Sequence, residues 1–106
     1  MEASALPLDR MHDAAREACA LLKALSNPDR LLILCHLSQG EARVGELEQV
    51  LGIVQPTLSQ QLGVLRNQGV VATRREGKNI FYSVADPNVL ELLVVLYRLY
   101  CPREPQ

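Results

Sequence analysis

V-G-E-L-E-Q-V-L-G-I-V-Q-P-T-L-S-Q-Q-L-G-V-L-R-N, residues 44–67, is the stretch whose reading decides the fold. Leu47, Val50 and Leu51 recur at spacings of three and four, which predicts one apolar face on a short helix over 44–51. Gly52 follows where a left-handed residue closes a helix, and glycine has no Cβ to oppose that conformation. Pro56 suits the first turn of a second helix, about 56–68, because its missing N–H would have no partner there anyway. Leu58, Leu62 and Leu65 give this helix its inward face, and Thr57, Ser59, Gln60, Gln61 and Asn67 are left outside. An outer face of hydroxyls and amides is suited to hydrogen-bonding base edges. Two short helices joined by a tight turn, the second with such a face, form the helix-turn-helix pattern, with 56–67 as the recognition helix. Thr57, Ser59, Gln60 and Gln61 are the candidates for base contacts, and Gln55, at the approach to the helix, is a further DNA-binding candidate.

Upstream, Ala14, Ala18, Leu21, Leu22 and Leu25 fall at helical spacing, with Asp13, Arg16, Glu17 and Lys23 on the other side, so a helix is expected over about 11–25. Residues 1–10 carry Pro7 and no periodicity and are expected to be flexible. Ser26-Asn27-Pro28-Asp29 is a stop and a restart: Asn27 is the N-cap, Pro28 the first helical residue, and Asp29 a favourable charge in the first turn. The helix that follows, about 28–38, is apolar almost all round and should be central to the core. Downstream, 70–75 and 80–84 read as strands joined by Glu76-Gly77-Lys78-Asn79. A basic-tipped hairpin directly after a recognition helix is a wing. Its Arg74, Arg75 and Lys78, together with Arg66, are candidates for phosphate or minor-groove contacts. Asp86-Pro87 opens a last helix, about 87–101, whose Val and Leu residues wrap nearly its whole circumference. At about 25 cal/mol per Å² of apolar surface, leaving one face in water forfeits several kcal/mol, so a two-fold dimer through the first and last helices is expected. The expected fold is mainly α: a winged helix-turn-helix domain of five helices and a hairpin over 11–101, with a short tail at 102–106.

Composition sets the bounds. The 106 residues make one modest domain, 48% apolar and 22% charged. Three Tyr and one Phe are the only aromatic residues, so the core must be aliphatic. Without a run long enough to span a bilayer or a signal-peptide pattern, the expected location is the cytoplasm. The net charge of −1 conceals an asymmetry: residues 54–84 hold Arg66, Arg74, Arg75 and Lys78 against Glu76 alone, while the rest of the chain is acidic. A basic patch confined to the helix-turn-helix and wing is the electrostatic footprint of a nucleic-acid binder, and double-stranded DNA, as a palindromic operator read by a dimer, is the expected partner. The three cysteines, Cys19, Cys35 and Cys101, do not form a disulfide framework; they are free thiols, metal ligands or redox groups.

In this order of elements the chain resembles the ArsR/SmtB family of dimeric winged-helix repressors over roughly 14–101. The resemblance is carried by L-L-K-A-L-S-N-P-D-R-L-L-I-L, V-G-E-L-E-Q-V-L-G, Q-P-T-L-S-Q-Q-L-G-V-L-R and G-V-V-A-T-R-R-E-G-K-N-I-F-Y. Many members sense metals, but the matching positions here lack the ligands. A Cys-x-Cys site in the third helix corresponds to Arg43-Val44-Gly45. A last-helix site that begins Asp-x-His corresponds to Asp86-Pro87-Asn88, with Leu99 at the later His. His12 and His36 form no ligand spacing with the cysteines, and no metal or other cofactor is expected. The placement of Cys35 and Cys101 resembles the sulfide- and persulfide-responsive BigR/SqrR group, with HlyU close by. That likeness implies redox-sensing thiols that a reactive sulfur species or oxidant bridges, releasing DNA.

The residues by themselves leave the thiols open. Cys35, inside an apolar helix, also reads as a small core residue, and Cys19 reads as packing. Cys101 lies at a helix C-terminus, where the dipole disfavours a thiolate, although Arg98 or Arg103 could offset this. His36 adjoins Cys35, but neighbours i and i+1 on a helix do not face each other. A thiol oxidoreductase would want a Cys-x-x-Cys, and none is present. A winged helix used only for protein contacts would need neither the Gln-rich helix nor the basic wing. An activator that displaces a silencing protein, or a regulator whose cysteines are not sensors, stays compatible with the sequence.

Overall fold

A computed structural model describes residues 7–101. Five helices and three short strands follow in the order α1 (Leu8–Leu25), α2 (Pro28–Leu37), β1 (Ala42–Arg43), α3 (Val44–Leu51), α4 (Thr57–Asn67), β2 (Val71–Glu76), β3 (Asn79–Val84) and α5 (Pro87–Tyr100). The strands form one antiparallel sheet in the order β1-β3-β2. This is the winged helix-turn-helix expected from the sequence, with two differences. The first helix begins at Leu8, inside the stretch expected to be flexible; the remainder of that stretch, 1–6, and the 102–106 tail lie outside the described residues. The wing also has a third strand, β1, whose Ala42 and Arg43 pair with Tyr82 and Phe81. Two residues carry no readable alternation, which is why periodicity does not reveal it.

Local chemistry sets the boundaries. The Asn27 side chain accepts the Arg30 N–H at 3.0 Å and caps α2, and Asp86 accepts the Asn88 N–H at 2.9 Å and caps α5. Gly52 ends α3 in the left-handed region at φ 70°, its N–H returning to the Glu48 carbonyl. Pro56 stands one residue before α4 rather than inside it. The glutamine preceding it supplies the cap: Gln55 Oε1 accepts both the Ser59 N–H, at 3.1 Å, and the Ser59 hydroxyl, at 2.7 Å. In the wing, β2 and β3 pair from Val71↔Val84 to Glu76↔Asn79, leaving a two-residue turn that Gly77 enters at φ 64°.

Among the described residues the buried core is wholly aliphatic. Leu58, Leu62 and Leu65 of α4 meet Ile33, Leu34 and Leu37 of α2 and Leu47 of α3, and Val70, Val71, Val89 and Leu93 close the other side. Only half of α2 serves this core, because Leu32 and Cys35 are exposed on its far side. Val50, expected on the inward face of α3, is also exposed, since α3 is short and meets the body mainly through Leu47. The inward face read for α1 is confined to its last turn: Ala24 and Leu25 are buried and Leu21 is half-buried, while Ala14, Ala18 and Leu22 face out. On α5, Leu90, Val94, Val95, Tyr97, Leu99 and Tyr100 are exposed in the single chain.

Candidate nucleic-acid interface and thiol pair

The recognition helix presents its polar residues unevenly. Ser59 and Gln60 are exposed on α4, and Thr57 is half-buried at its first turn. Gln55 and Ser59 are bound to each other in the cap, which fixes both side chains at the helix N-terminus. Gln61 is half-buried and turned toward α2, where its Oε1 accepts from Arg30 Nη1 at 2.9 Å. Arg66 is exposed in the last turn of α4.

Alternation along the wing separates its cations. Cross-strand partners share a face of the sheet, so Val71, Thr73 and Arg75 lie with Val84, Tyr82 and Ile80 on the face that packs on the helices. Ala72, Arg74 and Glu76 lie with Ser83, Phe81 and Asn79 on the outer face. Arg75 therefore projects beyond the core at the wing's tip, and Lys78 sits in the turn. Neither makes an ion pair among the described residues. Arg74 has a different setting. Its Nε donates to both oxygens of Glu41, at 2.7 and 3.0 Å, its Nη2 donates to Glu41 Oε2 at 2.6 Å, and its guanidinium stacks 4.5 Å from the centre of the Phe81 ring. The hydrogen bond from Arg74 holds the Glu41 carboxyl below the usual carboxylate range, and the same bond raises Arg74. Glu41 has no sequence signal as its partner, because the pair is 33 residues apart.

All three cysteines are exposed in the single chain, so neither Cys35 nor Cys19 packs into the core of that chain in the way its helix suggested. Cys35 lies on the side of α2 away from the core, and Cys101 ends α5. Partial burial pushes the Cys35 thiol above its ordinary value, and the charge of Cys101 pushes it the same way. His36 does not serve either thiol; its Nε2 is 2.7 Å from Glu46 Oε2, which ties α2 to α3. Among the described residues no three His, Cys, Asp or Glu side chains group as metal ligands, and no helix is long and apolar enough to cross a membrane.

A polar recognition helix, held against a small aliphatic core beside a basic wing, defines a winged helix-turn-helix DNA-binding protein. Residues 27–73 match the model of the bacterial regulatory protein arsR family. The chain is 52% identical over 99 residues to the biofilm growth-associated repressor of Agrobacterium fabrum, covering 93% of this chain and 85% of that protein. It is 40% identical over 101 residues to the transcriptional activator HlyU of Vibrio cholerae, covering 95% and 94%. The crystal structure of the transcriptional repressor BigR from Xylella fastidiosa superposes with a TM-score of 0.83 at 49% identity, covering 92% of this chain and all of that one. The chain belongs to the arsR family, whose members matched here are transcription regulators and not enzymes.

Proposed function

We propose that the chain is a dimeric transcriptional repressor that binds a palindromic operator and releases it when Cys35 and Cys101 are bridged by a reactive sulfur species or oxidant. The repressor output is supported by the likeness to the biofilm growth-associated repressor and BigR. The dimer is supported by the apolar residues that α1 and α5 leave in water. The single observation that carries the switch is the exposure of two free thiols on different helices, Cys35 on α2 and Cys101 at the end of α5.

In this reading Cys101, exposed at the end of α5, is the first nucleophile. Its thiolate attacks the outer sulfur of a persulfide, R–S–SH, giving Cys101–S–SH and the thiolate RS⁻. Cys35 then loses its proton and attacks the inner sulfur of Cys101, expelling hydrosulfide. Two protein thiols are oxidised by two electrons, and the sulfane sulfur is reduced to sulfide. Further persulfide would lengthen the bridge. The bridge ties α2, which packs on the recognition helix, to the end of α5. Allosteric couplings of about 1–3 kcal/mol are enough to lower operator affinity tenfold.

The test is glutathione persulfide treatment, followed by mass spectrometry of the Cys35 and Cys101 peptides and a DNA-binding titration. A crosslink in the wild type, with loss of binding that is absent in Cys35→Ser and Cys101→Ser, is expected. Release of DNA by both variants sinks the switch.

A further inference from the structure

Arg30 belongs neither to the DNA-facing surface nor to the thiol pair, yet it holds three helices together. On α2, its backbone N–H donates to the Asn27 cap. Its Nε donates to the Ala24 carbonyl at 2.6 Å and its Nη2 to the Lys23 carbonyl at 3.0 Å, both in the last turn of α1. Its Nη1 donates to Gln61 Oε1 of α4 at 2.9 Å. Carbonyls at a helix C-terminus lack intrahelical partners and carry the negative end of the dipole, so a cation is favoured there. The planar guanidinium directs three of its N–H groups along fixed lines, and an ammonium cannot reproduce that fork. One side chain thus links the end of α1 and the start of α2 to the recognition helix.

The bond also commits one end of Gln61. Reading adenine requires both the oxygen and the nitrogen of an amide turned to the base edge, and here the half-buried Gln61 turns its oxygen to Arg30 on α2 instead. We propose that Arg30 positions the recognition helix for base reading, and that Gln61 serves as its anchor on α4 rather than as a bidentate base reader. This rests on the DNA-binding reading of α4 and is independent of the thiol chemistry. Base contacts demand placement within about 0.5 Å, whereas charge attraction to phosphate tolerates more. Loss of the anchor therefore removes sequence discrimination and leaves non-specific binding in place.

The probes are a duplex enriched by the wild-type chain from a random-sequence pool and a scrambled duplex of the same length. Gln61→Leu and Arg30→Lys should each weaken the enriched duplex by about tenfold, comparable to a mismatched base pair, with affinity for the scrambled duplex and its salt slope unchanged. The double variant should be no weaker than the weaker single, because both break one tie. Gln61→Glu keeps an acceptor for Arg30 and should restore most of the ratio between the two duplexes, a ratio in which the added charge cancels. Wild-type discrimination by Gln61→Leu overturns the proposal, as does a double variant whose loss is the product of the two singles, or a Gln61→Glu no better than Gln61→Leu. A wild-type chain that enriches no sequence overturns the DNA-binding reading itself, and the proposal with it.

Discussion

Lys78 and Arg74 are both cations of the wing, but their settings predict opposite behaviour toward DNA. Lys78 is exposed in the turn without an ion pair among the described residues, while Arg74 is clasped by Glu41 through three short contacts. Each phosphate neutralised contributes about 0.9 to the slope of log K against log salt. The proposed dimer carries two wings, so Lys78→Ala should make the slope shallower by about 1.8. Between about 50 and about 200 mM salt, that amounts to about a tenfold smaller loss of affinity than the wild type suffers. Arg74→Ala removes a charge already balanced by Glu41, and the slope should move by much less than one. Fluorescence anisotropy of a labelled duplex at five salt concentrations gives both slopes in one experiment. Equal flattening by the two variants would refute the claim that Glu41 withdraws Arg74 from the phosphates, and an unchanged slope for Lys78→Ala would remove Lys78 from the interface.

Leu58→Ala empties a site with no solvent exposure between α4 and α2 and should cost about 2–5 kcal/mol in urea unfolding at fixed protein concentration; a loss under 1 kcal/mol would mean that α4 is not seated on this core. Asp86→Ala removes the α5 cap and should cost about 1 kcal/mol, with a rescue by Asn that Leu would not give. Iodoacetamide labelling of Cys35 should reach half its limiting rate at a higher pH than an unstructured cysteine near about 8.5. Cys101→Ser should bring that midpoint partway down, because the neighbouring charge goes and the burial remains; a midpoint that does not move separates the two sulfurs.

The helix-turn-helix was legible because its signals are local. Gly52 needs the left-handed region, Leu58, Leu62 and Leu65 repeat at helical spacing, and both lie within a few residues of what they determine. Asn27 and Asp86 were readable as caps for the same reason. The contacts that tie the candidate interface residues to the rest of the fold are not local. Arg30 meets Gln61 across 31 residues and Arg74 meets Glu41 across 33, and no periodicity marks either pair. The exposure of Cys35 was hidden for another reason: its helix is apolar almost all round, so hydropathy could not separate the side facing α4 from the side facing water. The pairing of Cys35 with Cys101 is implied only by a family likeness, never by spacing.

The sheet order leaves the long strand β2 at an edge, with a row of backbone groups open to any other strand that approaches. Arg74, Arg75 and Glu76 fill the outer half of that strand. Charges along an edge discourage edge-to-edge association between sheets, so the wing's basic residues keep copies of the molecule from joining strand to strand, whatever they do at DNA. Two demands therefore act on the same few positions. Exchanging these cations for β-branched apolar residues, which would suit a strand on propensity alone, should leave the fold intact and render the protein prone to precipitate.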